Sequence, residues 1–326
     1  MIWLFFLCIL GFLLLYFGAE SLVKGSSSLA ASLGVTPMVI GLTVVAFGTS
    51  MPELVVSLVS AVQGKSMIAI GNVVGSNICN IALILGLSAL FQPLTCNSSV
   101  MRRDIPIMLG VSLLLLFFSL NSMISRLEGM ILFAGVVAYT FFSYFLAKRE
   151  VLTPLGGTLS ELDLNGIATA GLSSRTKQIL MILVGIFGVV AGAKISVDAA
   201  VKIMATLGVS EKLIGLTIVA VGTSLPELAT SVVAAAKKEM DISIGNLVGS
   251  NIFNLLCVIG ISASIHPIPI SGGFVESGLI VDYVVMLAIS FLPWLMMRKS
   301  LEMDRKGGAF LLVVYITYMA YLIAKG

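Results

Sequence analysis

Ten apolar runs, each near the length a helix needs to cross a hydrocarbon core, can be counted along the chain: residues 1–22, 33–62, 67–90, 105–120, 127–147, 178–197, 209–236, 242–265, 279–297 and 309–324. They fall into two sets of five. Between the sets, over 148–177, Pro154, Gly156, Gly157, Gly166, Gly171 and several serines and charged residues interrupt the hydrophobicity, so this stretch reads as a linker. The pattern predicts an all-α polytopic membrane protein: a first five-helix unit over 1–147, a linker over 148–177 and a second five-helix unit over 178–326. The opening run lacks the basic n-region of a signal peptide and is read as the first span.

A composition of 58% hydrophobic and 11% charged residues, with a mean hydropathy of +1.11, excludes an ordinary soluble domain. The basic residues sit in short connections, not in a patch suited to nucleic acid. Cys8, Cys79, Cys96 and Cys257 form no CxxC pair, and His266 is the single histidine, so buried thiols are expected and not a disulfide or a soft-metal site.

The two units repeat one another. Residues 41–57 (GLTVVAFGTSMPELVVS) and 215–231 (GLTIVAVGTSLPELATS) agree at 12 of 17 positions at an offset of 174. The same offset aligns residues 71–80 (GNVVGSNICN) with 245–254 (GNLVGSNIFN) at 8 of 10 positions. Composition alone makes apolar helices resemble one another, but it does not place Gly, Pro, Asn and Glu at matched spacing. Five crossings per unit is an odd number, so the second unit enters from the opposite side and the units are predicted to be inverted repeats. Placing both termini outside puts 13 of the 19 lysines and arginines, and the linker, on the cytosolic side.

The repeat carries the candidate chemistry. Each copy places a glutamate, Glu53 or Glu227, beside a proline within a membrane-spanning run, where an ionisable group is costly and points to function. Thr49, Ser50 and Glu53 share a helical face, as do Thr223, Ser224 and Glu227. Pro52 and Pro226 have no N–H, which frees the carbonyls of Gly48 and Gly222 for another partner. Ser76 with Asn80, and Ser250 with Asn254, are four apart and add hydroxyl and amide oxygens. Carboxylate, carbonyl, hydroxyl and amide oxygens without thiolate or imidazole form the ligand set of hard cations such as calcium and sodium. Gly71, Gly75 and Ser76 have the spacing of close helix packing. Glu20 and Lys24, with Lys194 and Asp198, are expected to snorkel at membrane edges.

GTSMPE with GNVVGSNICN, and GTSLPE with GNLVGSNIFN, resemble the two alpha-repeats of the cation/calcium exchanger superfamily, and within it the short prokaryotic sodium/calcium exchangers. The resemblance spans nearly the whole chain. It implies ten helices in which spans two, three, seven and eight form a core while one and six slide past it to alternate access. It further implies that Glu53 and Glu227 bind calcium with the carbonyls of Thr49 and Thr223. Sodium would take flanking sites: Glu53, Ser76, Thr223, Ser224 and the Ala220 carbonyl on one side, and Glu227, Ser250, Thr49, Ser50 and the Ala46 carbonyl on the other. Asn80 and Asn254 would line the middle. Several relatives carry aspartate where this chain has Asn254, a departure at the centre of the site. The ions would be cargo and not cofactors, the partners being calcium, sodium and the lipid bilayer. The expected location is the plasma (inner) membrane of a prokaryote.

Three readings compete with sodium/calcium exchange. Proton/calcium antiport is open because a desolvated glutamate can bind a proton in place of sodium, although the Thr-Ser pairs favour sodium. An intramembrane enzyme would need paired aspartates, a Ser–His set or a His-rich metal site, and the repeat cores contain none of these. A passive channel is disfavoured because two glutamates would hold calcium too tightly for fast flux.

Overall fold

The computed structural model describes residues 1–152, 175–208 and 220–325. Most of the linker predicted over 148–177, and the first part of the run predicted over 209–236, therefore lie outside the described residues. In chain order the helices are α1 (Ile2–Leu33), α2 (Pro37–Thr49), α3 (Met51–Val62), α4 (Ser66–Phe91), α5 (Ile105–Ser119), α6 (Arg126–Leu152), α7 (Arg175–Thr206), α8 (Leu225–Ala236), α9 (Met240–Ile265), α10 (Leu279–Met297) and α11 (Arg305–Lys325). Among them seven are long and apolar enough to cross a membrane, or eight if α2 and α3 make one span.

Three boundaries differ from the hydropathy pattern. The helix expected over 1–22 continues to Leu33, because no residue breaks it until Gly34 takes the left-handed conformation (φ 65°) and closes it onto the carbonyls of Ala30 and Ala31. Its extension is rich in Ser and Ala, which score poorly for hydropathy yet accept a helix. The run expected over 178–197 likewise extends to Arg175 and Thr206. The span expected over 33–62 is two arms bent by 45° at Ser50 (φ −82°, ψ 6°), with Pro52 starting the second arm because it has no N–H to give the first. Ser224 (φ −89°, ψ 8°) and Pro226 open α8 in the same way.

Burial separates the helices into two groups. In α4 and α9, 78% and 83% of the apolar window is buried, against 22% in α1 and 33% in α7. The central pair contains π-helical turns, Cys79–Leu85 in α4 and Asn254–Val258 in α9. Such turns rotate the following side chains out of α register and recur at functional sites.

The outer helices α1 and α7 run antiparallel in close contact. A Cβ on Gly18 would sit 2.7 Å from the Val189 nitrogen, and one on Gly185 would sit 2.6 Å from the Leu22 nitrogen, so only glycine permits this approach. Hydrogen bonds reinforce the seam, Ser21 Oγ donating to the Met181 carbonyl (2.9 Å) and Ser32 Oγ to Gln178 Oε1 (2.8 Å).

Among the described residues four two-residue strands, absent from the all-α expectation, tie the connections together. β1 (Leu94–Thr95) pairs antiparallel with β4 (Glu302–Met303), and β2 (Met123–Ile124) with β3 (Ile268–Pro269). The four cysteines are free thiols, with Cys79, Cys96 and Cys257 buried.

Candidate cation site

The break at Ser50 leaves Thr49 and Ser50 at the end of α2 and Glu53 in the first turn of α3, next to the helix N-terminus where a carboxylate is favoured. Thr223, Ser224 and Glu227 are disposed in the same way at the start of α8. α4 brings Ser76 and Asn80 to this level, and α9 brings Ser250 and Asn254. Thr49, Ser50, Glu53, Ser76, Asn80, Ser224, Glu227, Ser250 and Asn254 are all buried, and Thr223 is half-buried. α2 and α9 approach closely here, since a Cβ on Gly249 would sit 2.7 Å from the Leu42 carbonyl oxygen. The residues 174 positions after Met38 and Leu42 fall in 209–219, outside the described residues, so the matching environment of Gly71 and Gly75 is not described.

The hydrogen bonds cross between the units. Ser50 Oγ donates to Glu227 Oε1 (3.1 Å), and Ser224 Oγ donates to Glu53 Oε1 (3.3 Å), an acceptor shared with Ser76 Oγ (3.1 Å). Ser76 and Ser224 hydroxyls lie 2.9 Å apart, and those of Thr49 and Ser250 lie 3.4 Å apart. Each glutamate is therefore held by a serine from the other half of the chain. Among the described residues only one oxygen of each carboxylate is hydrogen-bonded. Glu53 Oε2, Glu227 Oε2, Asn80 Oδ1 and Asn254 Oδ1 are buried and have no hydrogen-bond partner among the described residues.

Neither glutamate takes part in an ion pair among the described residues, where the pairs involve Glu20 and Asp104 only. Two buried carboxylates without a counter-charge are strongly unfavourable, and an oxygen-loving divalent cation cancels both. No group of three or more His, Cys, Asp or Glu that could hold a metal occurs among the described residues, so the site rests on two carboxylates and neutral oxygens. That donor set suits calcium and sodium and not zinc or copper.

Of the other predicted residues, Ala46 lies in α2 with its carbonyl accepting the Ser50 N–H (3.1 Å) and, at 3.4 Å, the Thr49 hydroxyl. Ala220 opens the short helical turn Ala220–Gly222. Glu20 stands apart from the site, paired with Lys24 (3.0 Å) and Lys237 (2.8 Å), while Lys194 and Asp198 are exposed.

Six polar residues escaped the sequence reading. Asn72 Nδ2 donates to the Glu53 carbonyl (3.2 Å) and Ser57 Oγ (2.9 Å), and its Oδ1 accepts the Thr223 hydroxyl (3.4 Å). Asn246 repeats this with the Glu227 carbonyl (3.5 Å), Ser231 Oγ (2.9 Å) and the Thr49 hydroxyl (3.1 Å). Asn77 and Asn251 pair across the centre. All six are identical in the two copies at the 174-residue offset, and that signal was sufficient to find them.

The family profile of the sodium/calcium exchanger protein matches residues 3–145 and 177–324, nearly the whole chain. The chain belongs to the sodium/calcium exchanger family. It is similar to the sodium/calcium exchanger MaX1 of Methanosarcina acetivorans, 34% identical over 349 residues covering 98% of each chain. It is also similar to inner membrane protein YrbG of Escherichia coli, 36% identical over 322 residues, 97% of this chain and 95% of that one. A solved structure of the sodium-calcium exchanger NCX_Mj, soaked with zero sodium and calcium, superposes with a TM-score of 0.82 at 31% identity over 99% of this chain and 100% of that one. This exchanger-family member is an integral membrane protein with bacterial and archaeal relatives, and a transporter, not an enzyme. The cations of the family are cargo and need no cofactor.

Proposed function

We propose that the chain is a secondary antiporter exchanging sodium for calcium across the plasma (inner) membrane of a prokaryote by alternating access. The observation that carries this reading is the mirrored pair of buried glutamates, each with one free carboxylate oxygen, flanked by serine and threonine hydroxyls supplied by both halves. Calcium takes both carboxylates together with the Thr49 and Thr223 carbonyls. Sodium takes the flanks, Glu53, Ser76, Thr223, Ser224 and the Ala220 carbonyl on one side, and Glu227, Ser250, Thr49, Ser50 and the Ala46 carbonyl on the other, with Asn80 and Asn254 in the middle. Occupying the same carboxylates makes the ions mutually exclusive, which is the requirement for exchange.

The proposed frame is ten spans in two inverted five-helix repeats, 1–147 and 178–326, joined by a cytosolic linker, with both termini outside. Hydrogen bonds repeated at the 174-residue offset support it. So does the strand pairing. β1 lies between the third and fourth proposed spans and β4 between the ninth and tenth, while β2 and β3 follow the fourth and eighth. Connections can pair only on one side of a membrane, and in a ten-span chain both pairs meet that condition. Labelling tests the orientation: Ser98→Cys is expected to react with a membrane-impermeant maleimide only from the cytosolic side, and Gly273→Cys only from outside. The opposite pattern would invert the frame.

The function is tested by calcium uptake into proteoliposomes with sodium and proton gradients imposed separately. Uptake driven by sodium is expected, and uptake driven by protons alone would transfer the assignment to proton/calcium antiport. Potassium is expected to be dispensable. With Asn80 and Asn254 both neutral the site has two formal negative charges, which one calcium cancels, so a potassium ion beside it would add an uncompensated buried charge at a cost of several kcal/mol. Uptake lost when potassium is replaced by an impermeant organic cation would overturn this.

A further inference from the structure

An asparagine side chain can present either its carbonyl oxygen or its amino group, and at a cation site the two ends have opposite effects: the oxygen coordinates and the NH2 repels. Something must therefore fix the end that Asn80 and Asn254 turn to the ion. Their surroundings contain a device that does so. Asn80 Nδ2 donates to Asn251 Oδ1 (2.9 Å), and Asn254 Nδ2 donates to Asn77 Oδ1 (3.0 Å). Asn251 Nδ2 in turn donates to the Asn77 backbone carbonyl (3.3 Å), and Asn77 Nδ2 donates to the Asn251 backbone carbonyl (3.3 Å). All four side chains are buried, with a relative exposure of 1% or less.

The polarity of this chain follows from its ends. A backbone carbonyl only accepts, so the inner asparagines must aim their NH2 groups at it and their oxygens at the outer asparagines. An amide oxygen only accepts, so the outer asparagines must aim their NH2 groups at the inner asparagines, that of Asn254 also reaching Ser76 Oγ (3.3 Å). Their own oxygens, Asn80 Oδ1 and Asn254 Oδ1, are left pointing away from these partners, buried and without a hydrogen-bond partner among the described residues. Turning either outer amide over would set its oxygen against the inner asparagine's oxygen and orphan a buried donor, and turning the inner amide as well would set its oxygen against a backbone carbonyl, so the arrangement has one low-energy orientation.

We propose that Asn77 and Asn251 are positioning residues that lock the carbonyl ends of Asn254 and Asn80 toward the transported cation. This rests on the reading of the site as a calcium- and sodium-binding centre. The lock acts across the two halves, since each inner asparagine orients the outer asparagine of the other unit. It is separate from charge: the glutamates attract the cation, while the amide lock sets whether the middle of the site receives it with two oxygens or with amino groups.

The test is calcium titration of the purified, detergent-solubilised transporter by calorimetry. Asn251→Leu removes the acceptor that holds Asn80, and a calcium affinity about 10- to 100-fold weaker is expected, the usual effect of deleting an outer-shell orienting partner. A merely structural loss is separated by combining it with Asn80→Asp. A carboxylate has oxygen at both ends, so no lock is needed, and it is repelled by the Asn251 Oδ1 that the asparagine welcomed. Asn251→Leu is therefore expected to leave affinity unchanged or to improve it in the Asn80→Asp background. Equal losses in both backgrounds, or no loss from Asn251→Leu alone, would overturn the lock. The mirror-image set, Asn77→Leu with and without Asn254→Asp, gives the same comparison with a smaller expected loss, because Ser76 Oγ still accepts from Asn254 Nδ2 (3.3 Å), if the first set fails to yield folded protein, as judged by gel filtration. Glu53→Gln is titrated alongside: if it binds calcium like the unmodified chain, the reading of the site itself falls, and if it alone loses binding while Asn251→Leu does not, only the lock falls.

Discussion

Glu53→Gln and Glu227→Gln are each expected to abolish calcium exchange. Calcium gives up most of its hydration on entering a buried site, and two full negative charges offset that loss. Glutamine keeps the size and one oxygen of the side chain but removes the charge. Truncating one partner of a buried charge pair costs about 3–5 kcal/mol, which at 1.4 kcal/mol per factor of ten corresponds to a loss of affinity of roughly 100-fold or more. Both variants should fold, because glutamine still accepts the hydroxyls of Ser224 and Ser76 at one glutamate and of Ser50 at the other. Sodium-driven uptake of radioactive calcium into proteoliposomes measures the effect. Uptake within tenfold of the unmodified chain in either variant would mean that calcium does not share the two carboxylates.

A substitution outside the site, Gly185→Leu, is expected to have the next largest effect. The seam between α1 and α7 brings the Gly185 position within 2.6 Å of the Leu22 backbone nitrogen, and even a methyl group would force the helices apart. Overpacking of this kind costs about 1–3 kcal/mol, and here the obstructing atoms are backbone that cannot rotate away. The two helices carry hydrogen bonds along the same seam, including Ser21 to Met181 and Ser32 to Gln178, which would be stretched together. In the proposed mechanism these outer helices move as a pair against the core, so transport should fall along with stability. Gly110→Ala is the control, because a Cβ there meets nothing within 4 Å among the described residues. A thermal melting point and an uptake rate unchanged in Gly185→Leu would refute the close seam.

The sequence by itself determined the class of protein, the repeat in its sequence and the residues proposed to hold its ions. Apolar runs report how long a segment can stay in hydrocarbon, and a 174-residue offset that preserves Glu, Pro, Ser and Asn reports a sequence motif used twice. Both are local properties and need no knowledge of which segments touch. Where hydropathy failed, it failed for local reasons as well: the serine-rich continuation of α1 to Leu33 is helical but not apolar, and a single residue, Ser50, divides what hydropathy reads as one run. Only the tertiary structure decided the partnerships. That Ser50 serves Glu227 and not its neighbour Glu53, that Asn77 and Asn251 pair across the middle, that Gly18 and Gly185 allow α1 and α7 to touch, and that β1 finds β4 are contacts between segments distant in sequence. Helical periodicity tells which residues share a face but not what that face meets, because the meeting is set by the packing of all the helices at once.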